Sequence, residues 1–154
     1  MDFIRGDSSI GPLIGKTYGD VAERHLHFDD GFTLVAVDGD EIVGFASFVW
    51  RDLAKLLDSL KECFIDIIET RGEYRRKGVA THLLEMAEEL AKSTGAYQLR
   101  AWSSCDKVEA LSMWSTLGYG LAPAVVTPGG QEVHGYFVTK PLRPASVLQK
   151  AEAA

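Results

Sequence analysis

The spacing of apolar residues changes several times along the chain, and each change marks an element. Leu13, Tyr18, Val21, Ala22, His25 and Leu26 form a helical stripe over about 12–27, although this opening stretch is the most ambiguous of all. Phe32 to Val37 reads as a strand and Glu41 to Trp50 as its partner. Asp38-Gly39-Asp40 between them has the residue types that tolerate a tight hairpin turn. Leu53, Ala54, Leu56, Leu57 and Leu60 predict a short amphipathic helix over 51–61. Cys63 to Glu69 predicts a buried strand with Asp66 as its interior charge. Val79, Ala80, Leu83, Leu84, Met86, Ala87, Leu90 and Ala91 then share one face of a long helix, about 77–93, which Gly95 stops. Ala96 to Trp102 predicts a strand and 107–117 a helix ending at Gly118. A final hairpin has strands at about 120–126 and 132–139, joined through Thr127-Pro-Gly-Gly130.

This order predicts an α/β (α+β) fold. Strands joined through the helices at 77–93 and 107–117 are expected to lie side by side in a mixed sheet, with right-handed crossovers. The chain has 154 residues, a length that suits one domain. We expect that domain over 1–144, followed by a tail over 145–154 that is small and polar enough to fray or to form a short exposed helix.

Charge and composition remove several function classes. No apolar run approaches the ~20 residues that span a bilayer, and the first residues lack the basic-then-apolar order of a signal peptide. A soluble protein that stays in the cytoplasm, with no membrane partner, is expected. Cys63 and Cys105 are widely spaced, which suits a reduced compartment and no disulfide framework. His25 and His27 have no Cys or Asp cluster to complete a metal set, so no metal is expected. The net charge of −6 disfavours nucleic acid, whose phosphates repel an acidic protein.

One segment runs against that charge. Arg71, Arg75, Arg76 and Lys77 face a single acid, Glu73, where the 63–69 strand turns into the long helix. A helix start carries backbone N–H groups with no internal partner and the positive end of the dipole, which makes it a ready anion site. Gly78 removes the Cβ that would keep a phosphate from the backbone, Ala80 stays small, and Thr81 adds a hydroxyl donor. The arrangement suits a pyrophosphate. A capped, solvated helix start would carry the same features.

Arg75-x-x-Gly78-x-Ala80 resembles the acetyl-CoA signature of the GNAT N-acetyltransferases, Gln/Arg-x-x-Gly-x-Gly/Ala. Its setting, Glu73-Tyr74-Arg75-Arg76-Lys77-Gly78-Val79-Ala80, is similar to that family's usual stretch. Ala110-x-x-x-Trp114-x-x-x-Gly118-Tyr119 resembles the family's Ala-x-x-x-Tyr-x-x-x-Gly-Phe helix end, and the element order agrees from about Phe32 to Thr139. The resemblance implies a GNAT-like acyl-CoA N-acyltransferase fold, with a mixed, mostly antiparallel sheet flanked by helices. It implies acetyl-CoA as cosubstrate, its pyrophosphate on the amides of Arg75, Arg76, Lys77, Gly78, Val79, Ala80 and Thr81. It also implies pantetheine hydrogen-bonded along Ile68, Glu69 and Thr70, and direct transfer to an unidentified primary amine, a small molecule or a peptide. Trp114 stands where the family often has a Tyr that protonates the departing thiolate, a task indole cannot perform. It is expected either against pantetheine or simply in the core. Lys107 replaces a common Asn, with Asp106 adjacent, and Gly72 replaces a frequent Pro.

The resemblance also implies an acid on the 63–69 strand, so Asp66 and Glu69 are the candidate catalytic bases. Three apart, they face opposite sides unless a bulge intervenes. Asp66 is expected to have a raised pKa if unpaired, and to be spent in a salt bridge otherwise. Glu69 can equally neutralise Arg71 or Arg75. His27 and His134 are expected to be satisfied or surface residues, and Cys105 to carry no acyl group. Two alternatives to an enzyme remain at this stage. One is an acyl-CoA-binding regulatory module without turnover, suggested by Trp114. The other is an interaction protein whose 51–61 segment forms a homodimer or partner surface, a stretch that can equally serve as a lid over the substrate pocket.

Overall fold

The computed structural model describes residues 1–54 and 60–142. Its strands are β1 (Asp2–Gly6), β2 (Gly31–Asp38), β3 (Glu41–Asp52), β4 (Lys61–Thr70), β5 (Gln98–Ser104), β6 (Gly120–Val126) and β7 (Val133–Pro141). Its helices are α1 (Gly11–Tyr18), α2 (Asp20–Arg24), α3 (Val79–Thr94) and α4 (Val108–Thr116). The strands form a mixed sheet in the order β1-β2-β3-β4-β5-β7-β6. The chain divides into two compact units, Met1–Arg51 with Phe64–Leu90, and Asp52–Cys63 with Ala91–Ala154.

In the first unit β1, β2 and β3 are antiparallel, with Ile4 opposite Val35 and Val35 opposite Phe45. The predicted 12–27 helix is two helices. Gly19, at φ 96°, closes α1 by donating to the Gly15 carbonyl and turns the chain before α2 begins. Ile14 and Ala22 from these helices pack with Val35 and Phe45 of the sheet, and Ile67 of β4 joins them. On α3 the predicted face is buried at Val79, Leu83, Leu84, Ala87 and Ala91. The helix starts two residues later than expected, because Lys77 and Gly78 belong to the loop. β1 was not anticipated; Ile4 is half exposed, so the strand lacks a clean alternating pattern.

In the second unit the β6–β7 hairpin pairs antiparallel with β5 through β7, setting Arg100 and Gly120 both opposite Thr139. The expectation that β5 and β6 are neighbours is therefore wrong. β7 lies between them, because the hairpin folds back into the space beside β5. Pro123 is tolerated because β6 is the last strand in the order. The predicted 51–61 helix falls partly on residues 55–59, outside the described residues; its ends are the last residues of β3 and the first of β4. The tail over 145–154 also lies outside them.

Glu62 of β4 is buried in this unit at 1% exposure. Its carboxylate accepts from Gln98 Nε2 at 2.7 Å and from Arg100 Nε at 2.9 Å. Removing one partner of a buried ion pair strands the other charge, at a cost of about 3–5 kcal/mol. Arg100→Ala, which leaves the Glu62 carboxylate buried without its charge partner, is therefore expected to lose about that much stability in urea unfolding. A loss below about 1 kcal/mol, the level of an exposed pair, would contradict the buried-pair account.

Candidate active site

The loop from β4 to α3 is tied at both ends. After Thr70, the Arg71 amide donates to the Val43 carbonyl at 3.0 Å, and a single 3-10 turn follows over Gly72–Tyr74. Arg76 then takes a left-handed φ of 62°, the only non-glycine among the described residues with positive φ, and Gly78 follows at φ 80°. A non-glycine held there costs of order 1–3 kcal/mol, so the surrounding loop must enforce it. The first bond across α3 runs from His82 N–H to the Gly78 carbonyl at 3.0 Å. The amides of Val79, Ala80 and Thr81 therefore precede the helical ladder and point out of its start.

Gly44, in the middle of β3, seats this helix start. A Cβ there would stand 2.7 Å from Val79 Cγ1 and 3.3 Å from the Glu69 carbonyl oxygen. Only glycine lets the buried first residue of α3 approach β3 so closely. At Gly78 the reverse holds, since an added Cβ would meet no protein atom within 4 Å. The constraint at Gly78 is its φ, and the space in front of it is open. Gly44 was not singled out from sequence, although an isolated glycine in a strand pattern is a signal for close backbone approach.

The loop's cations divide into two sets. Arg71 is consumed by acids, with Nη1 at 2.7 Å from Glu41 and Nη2 at 2.6 Å from Glu73. Glu41 is the largest reason its guanidinium is held above the usual range. Tyr74 donates to Asp38 at 2.8 Å, which ties the loop to the β2–β3 turn. Among the described residues Arg75 donates to the Thr70 carbonyl, at 3.3 Å, and Lys77 lies over the Tyr74 ring at 5.0 Å. Arg75, Arg76 and Lys77 are exposed and form no ion pair at contact distance among the described residues, although the charge of Lys77 helps to hold Glu73 below its ordinary pKa. Three exposed cations thus stand in the few residues ahead of the free amides.

Of the two candidate carboxylates on β4, Asp66 and Glu69, Glu69 is exposed. Asp66 is paired. Its Oδ2 lies 2.8 Å from His27 Nε2 and 3.2 Å from His25 Nδ1. Burial raises its pKa, but the hydrogen bonds from His27 and His25, with their charges, outweigh that and hold the carboxyl below its ordinary value. The condition for a raised pKa, an unpaired carboxyl, is not met. His27 is satisfied on both sides, because Nδ1 lies 3.0 Å from each Asp30 oxygen. Among the described residues no group of His, Cys, Asp and Glu could hold a metal ion.

In the other unit Trp114 is buried and meets Tyr119 edge-on, with ring centroids 4.9 Å apart. His134 is exposed, and Cys105 is a free exposed thiol. Cys63 is free and buried, and burial pushes its pKa up to about 12.

The lowered pKa of Asp66 has a definite sign. A carboxyl more acidic in the folded state adds stability that is fully present above its unfolded value near 3.8, and that stability disappears as pH falls through the lower folded value. Urea midpoints of wild type and Asp66→Asn should therefore converge below pH 3.8 and separate above it. A difference independent of pH would remove the linkage.

No described helix is long and apolar enough to cross a membrane. The fold resembles that of NAA60 of Arabidopsis thaliana solved with acetyl-CoA, at TM-score 0.78, 12% identity, and coverage of 91% of this chain and 98% of that one. It is also similar to an aminoglycoside 6'-N-acetyltransferase complexed with coenzyme A, at TM-score 0.69, 17% identity, and coverage of 94% and 98%. A ribosomal-protein-alanine N-acetyltransferase from Brucella melitensis gives TM-score 0.70, 16% identity, and coverage of 92% and 99%. No curated protein matches the chain. The profile of the Acetyltransferase (GNAT) family matches residues 10–119, a span that takes in Asp66 and Glu69, the whole cationic loop and α4, and by that match the chain belongs to the GNAT acetyltransferase family.

Proposed function

We propose that this protein moves an acetyl group from acetyl-CoA directly to a primary amine, on a small molecule or a peptide, within a ternary complex. The observation that carries this reading is the loop before α3. Free amides at Val79, Ala80 and Thr81 stand behind an open Gly78, just after three exposed cations that form no ion pair at contact distance among the described residues. A diphosphate satisfies such a site better than a single carboxylate, because it spans both the helix end and the cations. Arg75, Arg76 and Lys77 draw the cofactor in, the amides hold it, and Ile68, Glu69 and Thr70 offer strand hydrogen bonds to the pantetheine arm.

Such a site works by positioning. It holds thioester and amine in attack geometry and excludes water. A strand amide beside the thioester oxygen stabilises the charge that develops there. Asp66 and Glu69 are the acids of this strand outside the Glu62–Arg100 pair, and they set the charge that an incoming ammonium group meets. We place the reaction in a reduced, cytoplasmic setting, which two free thiols suit. The reading takes residues 1–144 as one acetyltransferase domain.

A second reading, an acyl-CoA-binding module without turnover, is favoured by Trp114. This buried indole stands where the family often has a thiolate-protonating Tyr. Thiol release from acetyl-CoA across a panel of amines separates the two. Release with at least one amine supports transfer, whereas tight binding with no release from any amine supports the module.

Gly78→Glu puts a carboxylate in front of the amides. The folded variant, checked by circular dichroism, should bind acetyl-CoA at least about tenfold more weakly in calorimetry, a loss of about 1.4 kcal/mol or more. Arg76→Gly relaxes the left-handed φ while removing one cation. It should lose affinity by a few-fold, and the loss should shrink as salt is raised. Unchanged affinity in Gly78→Glu would overturn the phosphate assignment.

A further inference from the structure

The family reading leaves a cluster of charged side chains on β4 and the α2–β2 loop without a role. Two histidines, His25 and His27, converge on one oxygen of Asp66. The loop that carries them is pinned by an unusual investment. The His27 amide donates to Ser47 Oγ at 2.8 Å, and Thr33 Oγ1 donates to the His27 carbonyl at 2.9 Å. Thr33 and Ser47 also bond each other at 2.8 Å, and both are fully buried on the sheet. Buried hydroxyls gain little net stability over apolar residues. Here they fix the main chain of a loop whose histidines reach a strand carboxylate.

The two histidines are not equivalent. His27 is mostly buried, with one nitrogen on Asp66 and the other against Asp30, so it has no free lone pair to offer. His25 is 48% exposed, with Nδ1 on Asp66 and Nε2 without a hydrogen bond among the described residues. An ionised carboxylate only accepts, so Nδ1 of His25 must be the donor. That fixes the tautomer in which Nε2 carries the lone pair, on a ring that is half exposed. A carboxylate behind Nδ1 also stabilises the imidazolium that forms when Nε2 takes a proton. Asp66 itself, already holding two donors, is a poor proton acceptor.

We infer that His25 is the general base of the acetyl transfer, and that Asp66 is its positioning residue, held in turn by His27. This rests on the proposed function. There the pyrophosphate lies at Gly78 and the pantetheine runs back along Thr70 to Ile68, so the thioester end points towards Asp66. Asp66 precedes Ile68 by two residues, or roughly 7 Å of strand.

The step balances as follows. From R–NH3+, one proton passes to His25 Nε2 and on to solvent. The freed nitrogen pair forms the N–C bond at the thioester carbonyl, and the C–S bond breaks with its pair on sulfur. The second proton shed by nitrogen ends on the coenzyme A thiolate. Acetyl-CoA and the ammonium ion thus give the acetamide, coenzyme A thiol and one proton, with no oxidant or metal required.

The test uses the full-length protein, acetyl-CoA, and a panel comprising a polyamine, lysine, an aminoglycoside and a peptide with a free N-terminus, with released thiol as the readout. Loss of a general base costs about 10²- to 10⁴-fold. His25→Ala should therefore lower kcat at least about a hundredfold, while acetyl-CoA affinity stays within about twofold of wild type. Added imidazole should restore part of the rate in His25→Ala, which a structural role would not allow. His25→Gln, of similar size and without a base, should be as slow as His25→Ala. Asp66→Asn should also lower kcat, and the double variant Asp66→Asn/His25→Ala should be no slower than His25→Ala alone, because the two act as one unit. A His25→Ala enzyme with wild-type kcat, or one that is slow but unresponsive to imidazole, overturns the inference and leaves the acetyltransferase reading standing. A wild-type protein that releases no thiol with any amine overturns both.

Discussion

The close seating of the α3 start on β3 is the constraint from which the rest of the first unit follows. Val79 reaches the sheet only because Gly44 has no side chain, and once seated it fixes where the helical ladder begins. The amides ahead of that point then have no partner within the helix, and the chain must supply a loop to reach them. That loop spends Arg71 on Glu41 and Glu73, and Tyr74 on Asp38, so that its ends are held by protein. What remains uncommitted is the middle: Arg75, Arg76, Lys77 and the space before Gly78. A basic island survives in an acidic chain because, among the described residues, Arg71 alone of its four cations is held in ion pairs at contact distance.

Much of this was legible in the sequence. The β2–β3 hairpin, the α3 face and the β6–β7 hairpin follow from period and turn chemistry, because each is a local decision of a few residues. What failed was non-local. Nothing in the period of 107–117 tells that β7 will insert between the strands its flanks join, since that depends on where a hairpin docks. β1 escaped for a similar reason, being short and half exposed. The break at Gly19 was readable in principle, but the apolar stripe continued through it and concealed the turn.

The site was legible in the same divided way. The helix start announced itself because main-chain chemistry needs only a glycine, small neighbours and local charge. Asp66 could be identified as an interior charge, but not its partners, which lie 39 and 41 residues earlier in the chain. Whether an interior carboxylate is a poised base or a paired anchor is decided by those partners and not by its neighbours on the strand. Here two imidazoles decide it, and burial alone would have given the opposite sign.

This division accounts for one fold persisting at 12–17% identity between this chain and solved structures that share it. A cofactor held by backbone amides asks little of side chains beyond glycine at the close approaches, so most of the sequence is free to change. Proton handling, by contrast, needs particular side chains at particular distances, and those are supplied by whichever loop reaches the strand. In this chain the α2–β2 loop has that reach, and the buried Thr33–Ser47 pair holds it there. On the proposed reading, in which the main chain holds the cofactor, the proton acceptor can change without rebuilding the core, because the two tasks draw on different atoms.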